Sequence, residues 1–539
     1  MSGQSADIAN KLRAVDMAMH AGNTGQAIRL AGEAAKLGAD RPQILVLAVI
    51  DGLSRGEMEA ALNYALRARA QDRHDPEVLN AYALALDGCG RYQEALAALD
   101  AALRKSSGRA SLHYNKGSVL DKLGHNNQAR RCYERAVALQ PSYPQALGRL
   151  AHLAVERGDF TAARSYGERA LKILPGEQTA ILALAAAELE EKKFETVLAR
   201  VKPLADGNSV DINHAIARGI SGDALDGLEH RSEAFRAYTR CNETMRTLYR
   251  DAYEQPGRES ARGFAERLAA YFKAAPAEAW RCRQTGKTER THVFLVGFPR
   301  SGTTLLEQVL ATHPDVESMD ERICLGDATA EFLGCKDDLD RLAELSDDAL
   351  EPWRESYWKK VAEQDIAPSK SVFIDKLPLN VVLLPLVAKL FPDAKILFAL
   401  RDPADVVWSC FRRRFGMNTQ MYELLDLSGA ARYYDAVMRL ADIYLDKLNL
   451  VLRDIVYEKT VCDFENEIGK TCTFLNLEWN EALADFAANS RKRSPNTPSG
   501  PQVAHGLYSH AVGQWTAYRE QLEPVLPILA PWRTRFGYK

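Results

Sequence analysis

A glycine returns every 34 residues through the first half of the chain, at Gly22, Gly56, Gly90, Gly124 and Gly158, with Lys192 in the next slot. An alanine keeps step at Ala27, Ala61, Ala95, Ala129 and Ala163, and a proline marks a third phase at Pro42, Pro76 and Pro144. Pro141 and Pro175 keep the same interval a few residues earlier. Chance glycines would not hold phase across so many units, so the interval is structural. Each unit carries one helical apolar pattern, such as Leu79, Tyr82, Ala83 and Leu86, then the glycine, then a second pattern such as Ala95, Leu96, Leu99 and Leu103. The glycine lets the backbone reverse between two antiparallel helices, and the small alanine lets them approach. Such units bury their apolar faces only by stacking, which predicts an all-α solenoid with a concave groove.

This spacing resembles the tetratricopeptide repeat. The resemblance implies a groove that could hold a protein or peptide. An array that only spaces or dimerises the rest of the chain, giving a homodimer, fits the pattern equally well. Glu229 to Ala234 reads as one more unit after a three-residue slip. Beyond it the period fades from Gly257 to Glu289 into a charged, helix-like stretch rich in Ala and Arg. The expected organisation is a repeat solenoid over 1–255, a helical linker over 256–290 and a second domain over 291–539. A chain of 539 residues exceeds what one hydrophobic core usually serves, in agreement with that division.

A net charge of -3 gives no push toward nucleic acid or an anionic membrane, so any anion site must be local. No apolar run reaches the roughly 18–20 residues of a membrane helix, and Val381 to Phe391 falls well short. Met1 to Arg13 shows no secretory pattern, and the expected location is cytoplasmic. Nine cysteines without a C-x-x-C pair make neither a disulfide framework nor a zinc site, and no metal is expected. Cys410 reads as a small core hydrophobe.

The second half changes character at Thr291. An apolar run, Val293 to Val296, ends in Gly297-Phe298-Pro299-Arg300-Ser301-Gly302-Thr303-Thr304, and a helical pattern follows from Leu305. Strand, turn and helix in this order form a cradle for phosphate oxygens. Gly297 and Gly302 match the frame of a P-loop, but Thr303 stands where a nucleotide triphosphatase has lysine. Arg300 and three hydroxyls suit a terminal 5′-phosphate or phosphosulfate better than a γ-phosphate with its Mg²⁺. A second buried strand, Lys395 to Leu400, runs into Arg401-Asp402-Pro403 and on to Ser409. Arg401 and Ser409 can meet one phosphate once a helix begins at Pro403. Leu452 to Val456 reads as a third strand, ending at Tyr457.

Pro299-Arg300-Ser301-Gly302-Thr303-Thr304 after a strand, with the agreeing segment from Arg401 to Ser409, resembles the sulfotransferases that use 3′-phosphoadenosine-5′-phosphosulfate (PAPS), in particular the protein-tyrosine sulfotransferase branch. The implied fold is an α/β, P-loop-like domain with a central parallel sheet behind the repeats. The resemblance implies that residues 300–304 hold the 5′-phosphosulfate, with Arg300 also stabilising the sulfuryl group in transfer. Arg401, Ser409 and Arg413 become 3′-phosphate contacts, an exposed helix charge being the other reading of Arg413. Arg412 and Arg414 read as a solvated face. Tyr457 would pack at the nucleotide, and Gln502, Val503, Tyr508 and Gln514 would belong to a loop that folds over it. Gln514 departs from the family, which has Lys or Arg there, so cofactor affinity should suffer unless Arg491, Lys492 or Arg493 substitutes.

Sulfuryl transfer needs a base for the acceptor hydroxyl and help for the leaving phosphate. Glu321 lies twenty-one residues past Arg300, the offset at which the tyrosine-sulfating branch keeps its base. It is the candidate general base, with Asp320 as rival. A carboxylate suits a phenol, which mildly favours tyrosine as acceptor. Lys376, ending a short apolar strand, matches the lysine at the bridging oxygen, and Ser499 the serine that shares its role. His505 and His510 read as surface residues, and His313 as a helix end. The expected product is adenosine 3′,5′-bisphosphate. Glycan or small-phenol sulfation, a P-loop nucleotide kinase and a non-catalytic repeat scaffold are the alternatives; the absent P-loop lysine speaks against the kinase.

Overall fold

The computed structural model describes residues 2–281, 286, 290–364, 366, 369–486 and 511–538. The chain forms two compact units, Met1–Glu191 and Lys192–Lys539.

Among the described residues the first unit holds eleven helices, from Ser2–His20 to Gln178–Glu190, in antiparallel pairs. The period glycines all take left-handed backbone, with φ of 71° at Gly22, 74° at Gly56, 73° at Gly90, 77° at Gly124 and 70° at Gly158. A Cβ at any of these five would meet nothing within 4 Å, so the glycine serves the turn and not a close approach. Space is scarce at the in-phase alanines instead: Ala27, Ala61, Ala95, Ala129 and Ala163 are fully buried between helices. Pro42, Pro76 and Pro144 begin helices, where a missing N–H has no partner to lose. N-terminal helical repeats of tetratricopeptide type are therefore the observed architecture.

The second unit opens with the helices Phe194–Ala205, Ile212–Gly227 and Arg231–Tyr253, so the last helices that carry the repeat phase pack in this unit. Lys192 and Glu229 occupy the next two turn slots and adopt the same left-handed conformation without glycine, at φ 58° and 65°. After the helix Ala261–Ala274 comes a sheet of five parallel strands, β1 (Thr291–Gly297), β2 (Val316–Asp320), β3 (Val372–Lys376), β4 (Lys395–Leu400) and β5 (Val451–Val456), in the order β2-β3-β1-β4-β5.

Both faces of this sheet are covered, as parallel sheets require. Phe294, Val296, Phe373, Ile396 and Phe398 face one core, and the alternate residues Val293, Leu295, Ile374, Leu397 and Ala399 face another. The chain crosses from β3 over β1 to β4. That places a crevice at the carboxyl end of β1, where ligands bind in open α/β sheets. Among the described residues no helix is long and apolar enough to cross a membrane.

Candidate active site

Five strand ends supply the site. β1 finishes at Gly297, where a Cβ would lie 2.6 Å from the carbonyl oxygen of Ala399, so glycine alone lets β1 and β4 close together. Phe298 then anchors the loop between Tyr433 and Tyr434, at ring distances of 5.5 and 5.0 Å. Arg300 is left-handed, at φ 72°, and so is Gly302, at 97°. A side chain at Gly302 would also strike Tyr457, whose Cδ2 lies 2.6 Å from the Cβ position. The helix Thr303–Leu310 starts from Gly302 without a side-chain cap, so the positive end of its dipole lies at the loop.

The guanidinium groups converge behind this loop. Arg300 Nε donates to Ser409 Oγ at 2.9 Å, and Arg401 Nη1 donates to the carbonyl of Arg300 at 3.2 Å. Arg401 lies over the Tyr457 ring, 5.1 Å from its centroid. Burial, then the charges of Arg413, Arg401 and Arg412, pushes the Arg300 pKa well below its ordinary value. The buried Nε atoms of Arg401, Arg412 and Arg413 have no hydrogen-bond partner among the described residues. Crowded cations with unused donors are the signature of a site completed by anionic oxygens. The residues present, Arg300, Arg401 and Ser409 at their head, therefore fit a phosphate-bearing ligand.

Lys376 ends β3 in register with Asp320 at the end of β2. Its Nζ donates to Glu321 Oε1 at 2.8 Å and pairs with Asp320 as well. Burial works against its charge, but Asp320, Glu321 and the buried Glu307 outweigh it, so the Lys376 pKa lies above the ordinary lysine value. Glu321 is left-handed, at φ 42°, held by its own N–H on the Lys376 carbonyl at 2.8 Å. Asp375, the neighbour of Lys376 on β3, is fully buried and accepts from Tyr357 at 2.9 Å, whose hydroxyl also meets His292 at 3.0 Å.

One cavity of about 740 Å³ joins these parts. Arg300, Gly302, Thr303, Thr304 and Arg401 border it, as do Ser409, Tyr457, Gln514 and Glu321. Ser301 and Lys376 are buried beside that wall rather than in it. Arg413 borders a separate small pocket with Cys241, Asn242 and Met245. Ser499, Gln502, Val503 and Tyr508 lie outside the described residues, as do Arg491, Lys492, Arg493, His505 and His510. The far wall is more apolar, with Phe264, Leu325, Leu379, Phe415 and Met421.

Sequence reasoning missed several participants. Arg412 and Arg414 are not a solvated face: Arg412 Nη1 bonds Asp226 at 3.0 Å and Arg414 Nη2 bonds Asp223 at 2.8 Å, with side chains 12% and 24% exposed. The helix Pro403–Phe411 stops just before them, and they pack on the helix Ile212–Gly227. Asp405 is buried and accepts from the backbone N–H groups of Gly513 and Trp515, at 2.6 and 2.9 Å, fixing the segment that carries Gln514. β2 also went unread, being short and only partly apolar. Cys410 is a core residue whose thiol burial pushes up to about 12, and His313 caps its turn by accepting from the N–H of Asp315 at 3.1 Å.

Residues 292–481 match the sulfotransferase family, and 46–110 and 114–177 match the tetratricopeptide repeat. An uncharacterized protein of Aquifex aeolicus (strain VF5) is 23% identical over 425 residues, 77% of this chain and 54% of that protein. The chain thus spans about half the length of that relative. A putative protein-tyrosine sulfotransferase of Caenorhabditis briggsae is 24% identical over 259 residues, 46% of this chain and 88% of its own length. Protein-tyrosine sulfotransferase 1 of Danio rerio is 24% identical over 260 residues, 46% of this chain and 72% of its own.

Proposed function

Because the chain joins a sulfotransferase-family domain to tetratricopeptide repeats, we propose that it transfers a sulfuryl group from PAPS to an acceptor hydroxyl, that of a tyrosine in a protein or peptide. The observation that carries this reading is the loop at the end of β1. It has a helix start without a side-chain cap, converging arginines and Thr303 in place of the P-loop lysine, with Glu321, hydrogen-bonded to the buried Lys376, at the same cavity. PAPS supplies an activated sulfuryl group with a phosphate leaving group; the rest is the work of this chain.

Residues 300–304 hold the 5′-phosphosulfate, and Arg401 with Ser409 takes the 3′-phosphate, Arg413 adding charge from behind. Tyr457 and Gln514 border the nucleotide. Lys376 stabilises charge gathering on the leaving phosphate. Glu321 accepts the acceptor proton once Lys376 turns its hydrogen bonds to the phosphate. The names of the relatives that match the second half support tyrosine as acceptor, and the apolar far wall suits an aromatic ring. We assign the division of labour to 1–255 as a repeat array that presents a protein partner, 256–290 as connection and 291–539 as transferase.

Calorimetric titration of the full chain with adenosine 3′,5′-bisphosphate, with ATP as control, tests the donor. Bisphosphate binding with weak ATP binding is expected; ATP binding without bisphosphate binding would replace this reading by a nucleotide kinase. Sulfate transfer from labelled PAPS to tyrosine peptides tests the acceptor.

A further inference from the structure

The helix Ile212–Gly227 continues the repeat phase, yet its last turns carry two carboxylates that serve the other end of the unit. Asp226 is the busier of the two. It accepts from Arg412 Nη1 at 3.0 Å, and it also takes hydrogen bonds from Arg231 and from the hydroxyl of Tyr518. Tyr518 in turn lies against Trp408, with ring centroids 3.9 Å apart, and Trp408 immediately precedes Ser409. Asp226 therefore touches both the end of the helix that carries Ser409 and the segment that follows Gln514.

Arg412 has a second face. It borders the main cavity together with Arg300, Arg401 and Ser409, and its Nε is buried without a hydrogen-bond partner among the described residues. Burial alone would weaken its charge, but Tyr238, Asp223 and Asp226 keep it above the ordinary arginine value, so the group stays cationic. A guanidinium clamped on one side by a carboxylate, at the wall of a cavity that Arg300, Arg401 and Ser409 also line, is a preorganised anion ligand.

We propose that Asp226 is a positioning residue of the donor site, holding Arg412 at the cavity wall so that Arg412 binds the 3′-phosphate together with Arg401 and Ser409. The assignment rests on the PAPS reading above. It makes the last repeat helices part of the donor site and not a detachable spacer.

The test uses the full chain and compares adenosine 3′,5′-bisphosphate with adenosine 5′-monophosphate by calorimetry, in wild type, Arg412→Gln, Asp226→Ala and Asp226→Glu. Arg412→Gln and Asp226→Ala should each lose about tenfold of the preference for the bisphosphate, with monophosphate affinity nearly unchanged and Asp226→Glu restoring most of the preference. An unchanged preference overturns the assignment. So does an equal loss of both nucleotides, which marks a merely structural role, or tighter bisphosphate binding by Asp226→Ala, which marks a carboxylate that competes with phosphate. Arg412→Gln leaves Asp226 with Arg231 and Tyr518, and it carries the test alone where Asp226→Ala fails to fold. A wild type that shows no preference removes the donor reading itself, and this assignment with it.

Discussion

Left-handed backbone turns the chain in both units, but with different residues. In the repeats five glycines adopt φ near 70–77° with empty space around them, because the turn needs only a reversal. In the candidate site the same region is taken by Arg300 and Glu321, at φ 72° and 42°. A side chain there costs strain that glycine avoids, and it persists only where neighbours over-determine it. Here the neighbours do: Ser409 and Arg401 hold Arg300, and Lys376 holds Glu321 by both backbone and side chain. The repeats are built for economy of turning, and the site accepts strain to aim two functional groups.

The largest expected effect tests whether that aim is chemical. Glu321→Gln keeps the size and the hydrogen-bonding reach toward Lys376 but removes the proposed base. Turnover should fall on the order of 10²–10⁴-fold while bisphosphate affinity holds. A small drop in turnover would pass the base role to Asp320. Next in size, Arg401→Ala removes a buried cation that bonds the loop carbonyl of Arg300. Bisphosphate affinity should fall on the order of 10- to 100-fold by calorimetry, with ATP unaffected.

Gly302→Ala separates the two uses of glycine. At Gly124 a methyl group would meet open space, whereas at Gly302 it would collide with Tyr457 besides straining φ. The loop variant should lose about 1–3 kcal/mol of stability together with nucleotide binding. Gly124→Ala should lose about 1 kcal/mol and no binding at all. Denaturant titration and calorimetry on both proteins read the contrast.

What could be read from the chain alone follows the same division. The repeat period, the loop from Gly297 to Thr304 and the segment from Arg401 to Ser409 are contiguous, so their spacing carries their meaning. Arg412 meets Asp226 across 186 positions, and Asp405 meets Trp515 across 110. No periodicity announces such pairs, and a run of three arginines looks like solvated charge until its partners are seen. β2 escaped because one strand of five residues, with only Val316 and Met319 apolar, carries too little pattern. Lys376 and Glu321 were legible as types and offsets, but not the hydrogen bond between them.

A smaller effect concerns the buried chain behind Lys376. Burial, partly offset by Tyr357 and Lys376, pushes Asp375 up to about 7. From the ordinary carboxylate range up to about pH 7 the native state keeps a proton that the unfolded chain releases. The contribution of this group to stability therefore falls as pH rises through that window. Asp375→Asn abolishes the fall, so its stability relative to wild type should climb by on the order of 1–3 kcal/mol between about pH 5 and pH 8. His292, which burial pushes down to about 3, works in the opposite direction, but it is common to both proteins and cancels in the difference. A flat difference in Tm across that range would mean that Asp375 is ionised throughout.

The smallest effect sharpens the comparison most, because it asks whether the two kinds of turn obey one rule. Lys192 and Glu229 stand at turn slots where the earlier repeats have glycine, and both are left-handed. Nothing catalytic is argued for either, so they should behave as strained turns and not as aimed side chains. Lys192→Gly relieves the conformational strain but gives the unfolded chain more freedom, and these terms oppose each other. With strain of about 1–2 kcal/mol against an entropy loss of about 0.5–1 kcal/mol, the variant should gain about 0.5–1 kcal/mol in urea titration. Arg300→Gly meets the same backbone rule and should gain or keep stability too, yet lose donor binding. If Lys192→Gly destabilised the chain instead, its side chain would be doing more than turning, and the distinction between the two regions would have to be drawn elsewhere.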